Sequence, residues 1–483
     1  MRELLKKIII VLGLYDITTI ISKFREIFCY NQKRYFHSNI ISVPVFSFDS
    51  KAGAAGTFPD ITRQRRGGKY VFFLIHCFYP YSHGGTERFI YNMAMAAKKE
   101  GNQVKIITYN AVKKRGHFKN NFSGILYNEY QIDGLDVLEY RHKRAPRGIL
   151  KDIILDDKAV RQFAGFLFKR EKPDVVHAGY IQKVSSFIAA CRDYNVPYII
   201  TLTSFYAFCH FDIMIDQKGS LCTGSEKGAK CSRKCPCLDI KDSAQRYQKA
   251  HTLLKDAAFI TGPSAFVKNI IEKEFNGFTV IVNNHGVSRD FIGTGSDAGS
   301  KGKEFKRFAY IGSITPIKGI HLLIEAFSDL PPEHTLNIYG AGYPGYLRDL
   351  ARAARGRPNI FFHGKVEFDK IVDVYKENDI IVVPSLWYET YNYVLHEALL
   401  MNRAVIVSRI GAMPEKIVDG VNGYTFVPGD PRDLKRAMGE AMAVPLTEDG
   451  RQQPCVNTVE EEFSIYNKLY ESSIGEVRHN EQC

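Results

Sequence analysis

Two glutamates, Glu389 and Glu397, stand with seven residues between them behind a short apolar run. That run, Ile380 to Val383, has the length and β-branched content of a strand buried on both faces. Pro384 ends it, a polar and aromatic loop follows, and Thr390 or Asn392 can cap a helix that continues through Ala398 and Leu400. The first N–H groups of a helix lack intrahelical partners and attract anions and hydroxyls. A diphosphate suits those groups, and paired sugar hydroxyls suit two carboxylates. The ligand expected here is a nucleotide-sugar.

Other stretches carry the same chemistry. Tyr70 to Ile75 reads as a buried strand, and Gly84 and Gly85 precede a helix with Ile90, Met93, Ala94 and Ala97 at helical spacing. Glycines there let backbone approach a phosphate closely. Further on, the strand at Phe308 leads to Gly312-Ser313 and to Lys318-Gly319, and a helix follows from Leu322. Lys318 is a point charge suited to a diphosphate. Gly340, Gly342 and Gly345 spell the dinucleotide fingerprint after a strand. The next strand ends Phe361-Phe-His-Gly364 without the acidic residue a ribose needs, and Pro344 stiffens the turn, so a nicotinamide site is not the reading. Cys209, Cys222, Cys231, Cys235 and Cys237 crowd one glycine- and lysine-rich insertion, out of 10 cysteines in all. Four thiolates fit a tetrahedral structural zinc, favoured over disulfides when no export signal is evident; five candidates compete for the four places.

The glutamate pair after Val-Val-Pro-Ser385, with Ala404 to Glu415 and Asp419 to Phe426 behind it, resembles glycosyltransferase family four, the retaining enzymes with an E-x7-E element. The resemblance runs from about residue 69 to 475. It implies the GT-B fold, two Rossmann-like α/β domains facing across a cleft. It also implies transfer of a sugar from a UDP- or GDP-sugar to a hydroxyl on a glycan or lipid-linked acceptor, without a catalytic divalent metal. By this resemblance Glu389 and Lys318 are the catalytic residues, Glu389 bonding sugar hydroxyls beside the backbone of Thr390, Tyr391 and Asn392. Glu397 takes the ribose diol, Gly84, Gly85, Ser313, Lys318 and Gly340 face the donor, and the backbone of Gly364, Lys365 and Val366 holds the base. Pro173-Asp-Val-Val-His177 matches a first-domain signature, placing His177 in the cleft. Thr203 and Ser204 stand where many relatives carry His-Asp, and Ser313 stands where an arginine is common.

The domain boundaries expected are an extension and linker over 1–68, an acceptor domain over 69–292 with the insertion at 209–237, a donor domain over 303–450, and a helix over 455–483 that crosses back. A length of 483 residues with 45% apolar content is enough for two sizeable cores. The net charge of +13 favours anionic partners. No zinc finger, RNP box or basic helix accompanies it, so nucleic acid is not expected. Ile8 to Ile21 is apolar but broken by Asp16 and flanked by lysines, short of the ~20 residues a spanning helix needs. The location expected is cytoplasmic, with contact to an acidic membrane face allowed by the charge. Two other readings remain open to the sequence, an NAD-dependent oxidoreductase or nucleotide-sugar epimerase, and an inactive binding scaffold.

Overall fold

A computed structural model describes residues 67–110, 117–144, 157–235, 240–291, 306–443 and 456–482, with no side-chain description at 240, 368 and 476–482. The apolar N-terminal segment, the small-residue stretches at 52–66 and 293–302, and Cys237 lie outside these residues.

The first domain is built on β1 (Tyr70–Ile75), β2 (Gln103–Tyr109), β3 (Asn120–Phe122), β4 (Ile125–Ile132), β5 (Leu135–His142), β6 (Val175–Ala178), β7 (Tyr198–Thr201), β8 (Phe259–Gly262) and β9 (Ile281–Val282). They form one sheet in the order β3-β4-β5-β2-β1-β6-β7-β8-β9. All pairings are parallel except those of β4 with β3 and β5. The second sheet is parallel throughout, with β10 (Arg307–Ile311), β11 (Thr335–Tyr339), β12 (Ile360–Gly364), β13 (Ile380–Val383), β14 (Ala404–Ser408) and β15 (Gly423–Phe426) in the order β12-β11-β10-β13-β14-β15. Every residue of β1, β13 and β14 is buried, as strands covered by helices on both faces must be. Two Rossmann-like α/β domains are the GT-B architecture expected from the sequence.

Four helices position the candidate site: α1 (Gly85–Lys99), α2 (Ile320–Phe327), α3 (Tyr393–Leu400) and α4 (Val459–Gln482). Helix α1 starts just beyond the loop that leaves β1 and buries Phe89, Ile90, Met93, Ala94 and Ala97 against the first sheet. Helices α2 and α3 follow the loops after β10 and β13. Helix α4 comes from the far end of the chain yet adds Phe463, Tyr466 and Tyr470 to the first domain's core. Its polar groups are matched as well: Tyr466 Oη pairs with the hydroxyls of Thr201 at 3.0 Å and Thr261 at 3.1 Å. Glu462 accepts from the Gly286 N–H at 2.7 Å and pairs with His285 Nδ1 at 2.8 Å.

Candidate donor site

The loop after β13 is fixed from three sides. Leu386 N–H donates to the Ile317 carbonyl at 2.7 Å, tying it to the loop after β10. Gly319 lies between them at φ +72°, and a Cβ there would fall 1.9 Å from the Pro384 carbonyl oxygen, so only glycine fits. The Ala412 N–H donates to the Glu389 carbonyl at 2.9 Å. From the first domain, the Thr203 carbonyl accepts from Thr390 Oγ1 at 2.8 Å.

This framework presents Glu389 with one oxygen engaged and one open. Lys318 Nζ at 2.6 Å, Ser385 Oγ at 2.7 Å and Trp387 Nε1 at 2.9 Å all donate to Oε1. Oε2 receives no hydrogen bond from any described residue. The carboxylate is nearly buried, and Lys318 lies over the indole of Trp387, 5.3 Å from its centroid. A buried carboxylate oxygen that accepts from a cation and two neutral donors keeps a fixed orientation.

Glu397 sits on α3, whose N-cap is Asn392, its side chain accepting from the Leu395 N–H at 2.9 Å. Both Glu397 oxygens are occupied. Oε1 accepts from Arg88 of α1, across the domain boundary, and Oε2 accepts from Tyr375 Oη at 2.6 Å. The Arg88 guanidinium stacks on the Tyr393 ring at 4.3 Å. Burial works against the charge on Arg88, but the Glu397 carboxylate outweighs it and the guanidinium is held above its ordinary pKa. Burial, reinforced by Glu397, pushes Tyr375 far up, so its hydroxyl stays a donor.

The glycine loop of the first domain faces this wall. Gly84 is the N-cap of α1, and a Cβ on Gly85 would meet only the Tyr393 ring, at 3.7 Å. Ser313 is exposed, and its carbonyl accepts from Tyr310 Oη at 2.7 Å. Gly364 closes β12, Lys365 is exposed and paired with Glu367 at 3.4 Å, and Val366 packs on the apolar cluster beneath α3. Tyr391 anchors the loop by donating to the His285 carbonyl at 2.6 Å. Gly340, at φ +149°, and Gly342 let the loops after β10 and β11 touch: a Cβ on either would meet the Gly312 or Ile314 carbonyl oxygen, at 1.8 and 2.2 Å. The glycine fingerprint therefore serves loop packing.

Two expectations meet a different placement. His177 is fully buried away from the cleft, its ring nitrogens bonded to Tyr470 Oη and Thr201 Oγ1, both at 2.7 Å, and it packs against α4. Burial pulls it down to a pKa of about 3, so it is a neutral packing residue. Cys209, Cys222, Cys231 and Cys235 line one cavity of about 20 Å³ with His210. Among the described residues no three of those sulfurs lie within 4.8 Å of one another, whereas zinc with bonds of about 2.3 Å draws its sulfurs to roughly 3.8 Å. The set converges but is open as placed. Thr203, by contrast, lies between the domains, donating to the Gly179 carbonyl at 2.7 Å and accepting from Thr86 Oγ1 at 3.2 Å.

The profile described as Glycosyltransferase Family 4 matches residues 83–283, and that of Glycosyl transferases group 1 matches residues 305–443. The chain belongs to glycosyltransferase family 4. Among family relatives, an uncharacterised glycosyltransferase of Methanocaldococcus jannaschii is 30% identical over 36% of this chain and 44% of its own length. A D-inositol 3-phosphate glycosyltransferase of Xylanimonas cellulosilytica is 28% identical over 30% of this chain and 34% of its own. The aligned stretches thus span about half or less of these curated relatives. Two solved structures share the fold at 15% identity: sucrose-phosphate synthase from Thermosynechococcus elongatus, with a TM-score of 0.64 over 84% of this chain and 98% of that one, and Anabaena HepE in complex with UDP and glucose, at 0.54 over 86% and 99%. Family motifs pointed to Glu389, Glu397 and Lys318. They did not point to Arg88 and Tyr375, which reach Glu397 from other segments, or to Ser385 and Trp387, which bond Glu389 from its own loop.

Proposed function

We propose that this chain transfers a glycosyl group from a nucleotide-sugar, UDP- or GDP-linked, to an acceptor hydroxyl with retention of anomeric configuration. The open Oε2 of Glu389 carries this reading: it is an acceptor held in place beside a cation, suited to a sugar hydroxyl. Lys318 neutralises the leaving diphosphate in a site where water is largely excluded and such charge counts most. Glu397 accepts a ribose diol by exchanging the bond from Arg88, while Tyr375 stays in place. Donor entry is thereby coupled to the contact between domains. The leaving phosphate takes the acceptor proton, so no side-chain base is assigned. The basic surface suits an acceptor carrying phosphate, such as a lipid-linked glycan.

Trp387 is the chain's single tryptophan and donates to Glu389, so its emission reports donor binding directly. Titration with UDP-, GDP- and ADP-sugars should change that emission for one base. Glu389→Gln should then lower transfer at least a hundredfold while the free nucleotide still binds, because the sugar, not the base, loses its partner. Unchanged emission with every nucleotide-sugar, or full activity in the variant, defeats the proposal.

A further inference from the structure

We propose that His76, Cys77 and Glu87 form a binding site for one borderline-soft divalent cation, best matched by Zn²⁺. The three residues come from the two ends of one loop. His76 and Cys77 follow β1, and Glu87 lies in the first turn of α1. One candidate ligand atom from each falls within 4.8 Å of the other two, and among the described residues no other trio does so. The geometry alone would be explained by local hydrogen bonding, since Glu87 Oε1 accepts from Ser82 Oγ at 2.5 Å and from Cys77 Sγ at 3.1 Å. A second observation does not fit that explanation: His76 Nδ1 is buried and has no hydrogen-bond partner. An orphaned buried polar atom costs about 1–3 kcal/mol unless something satisfies it.

The surroundings suit an ion. The His76 ring is held by stacking on Tyr180, with centroids 4.1 Å apart, and Tyr180 is itself fixed by donating to Asp212 at 2.6 Å. Burial lowers the His76 pKa to about 4, which keeps the imidazole neutral and able to ligate. Nitrogen, sulfur and carboxylate oxygen together are a zinc-type donor set, and three protein ligands leave a fourth position open. Binding exchanges the Cys77 thiol proton for the metal and releases that proton to solvent. Burial and then the Glu87 carboxylate raise the Cys77 thiol, with Lys183 acting weakly the other way, so the ion must displace a firmly held proton. An ion here would lock the loop that carries Gly84 and Gly85 toward α3, without taking part in the transfer proposed above.

The test uses the full chain, reduced and stripped with a chelator, then dialysed against Zn²⁺, with bound metal counted by elemental analysis. The wild type should hold one equivalent more than either Cys77→Ser or His76→Gln. Any zinc on the thiols of the 209–237 insertion is common to all three proteins and cancels. In the wild type, Zn²⁺ should also slow alkylation of Cys77 at least tenfold, read on its own peptide by mass spectrometry. Should a variant fail to fold, the stoichiometry of Glu87→Gln and the wild-type protection decide the matter. Equal metal content in wild type and folded variants, or a Cys77 that reacts at the same rate with and without Zn²⁺, overturns the site.

Discussion

Replacing Arg88 by methionine tests how the two domains are joined at the donor wall. Arg88 keeps 17% of its side-chain surface and Glu397 only 4%, so the pair is close to fully buried. Removing one member of such a pair leaves an uncompensated charge, at a cost of about 3–5 kcal/mol. The residual exposure of Arg88 and the remaining bond from Tyr375 place this case at the low end, near ~3 kcal/mol. Methionine retains much of the packing on Tyr393, so the loss is mainly electrostatic. Adding Glu397→Gln to the Arg88→Met protein removes the stranded charge and should restore about half of it. Urea unfolding of both singles, the double and the parent closes a double-mutant cycle, expected to give a coupling energy of at least ~1.5 kcal/mol, the restored half plus whatever Glu397→Gln costs alone. Far-UV circular dichroism follows the whole chain, and Trp387 emission follows the second domain separately. The coupling should persist in high salt, because a buried pair is screened little. A coupling below ~0.5 kcal/mol, or one abolished by salt, is the behaviour of an exposed pair and refutes the reasoning.

Three further outcomes are expected. Gly319→Ala puts a Cβ 1.9 Å from the Pro384 carbonyl oxygen at a positive φ, so the variant should lose at least ~2 kcal/mol and most donor binding; wild-type stability would show that the two loops are not locked. His177 and His396 are each lowered by burial from 6.5 to about 3. The unfolded chain therefore takes up protons first, and stability should fall as pH drops below about 6.5, by up to ~1.4 kcal/mol per unit for each histidine. Urea midpoints that stay level between pH 7.5 and 5 contradict this. Tyr466→Phe keeps the ring but strips the buried Thr201 and Thr261 hydroxyls of a partner, and should cost about 1–2 kcal/mol, read as a lower urea midpoint; no change would place that network outside the cooperative core.

Much of this was legible in the sequence because the informative signals are local. Strands such as β1 and β13 are continuous apolar runs, which is what burial on both faces demands. Strand, loop and helix succeed one another within twenty residues around Glu389 and Glu397, so their spacing nearly fixes their placement. What escaped depends on distance along the chain. Arg88 and Glu397 are 309 positions apart, and His177 and Tyr470 are 293 apart. Nothing in either segment alone names the other, so the sequence points His177 to the cleft although its partner lies on α4. The hairpin of β3 and β4 leaves little trace in the sequence because its outer residues are mostly polar and half exposed, as an edge allows. The glycine fingerprint misleads for a related reason: Gly340 and Gly342 answer to a neighbouring loop's carbonyls, and a motif cannot state which backbone it must approach.

The return of α4 sets the order in which the protein can be assembled. On the ribosome, the strands of the first sheet emerge before the second domain is made, yet His177, Thr201, Thr261 and His285 find their partners on α4 only when residues 462–470 have left the tunnel. Until then the face that will hold Phe463, Tyr466 and Tyr470 is an open apolar groove on a nascent chain. The first half made is thus the last half finished, and for the whole time the second domain takes to synthesise it is a natural client for a chaperone.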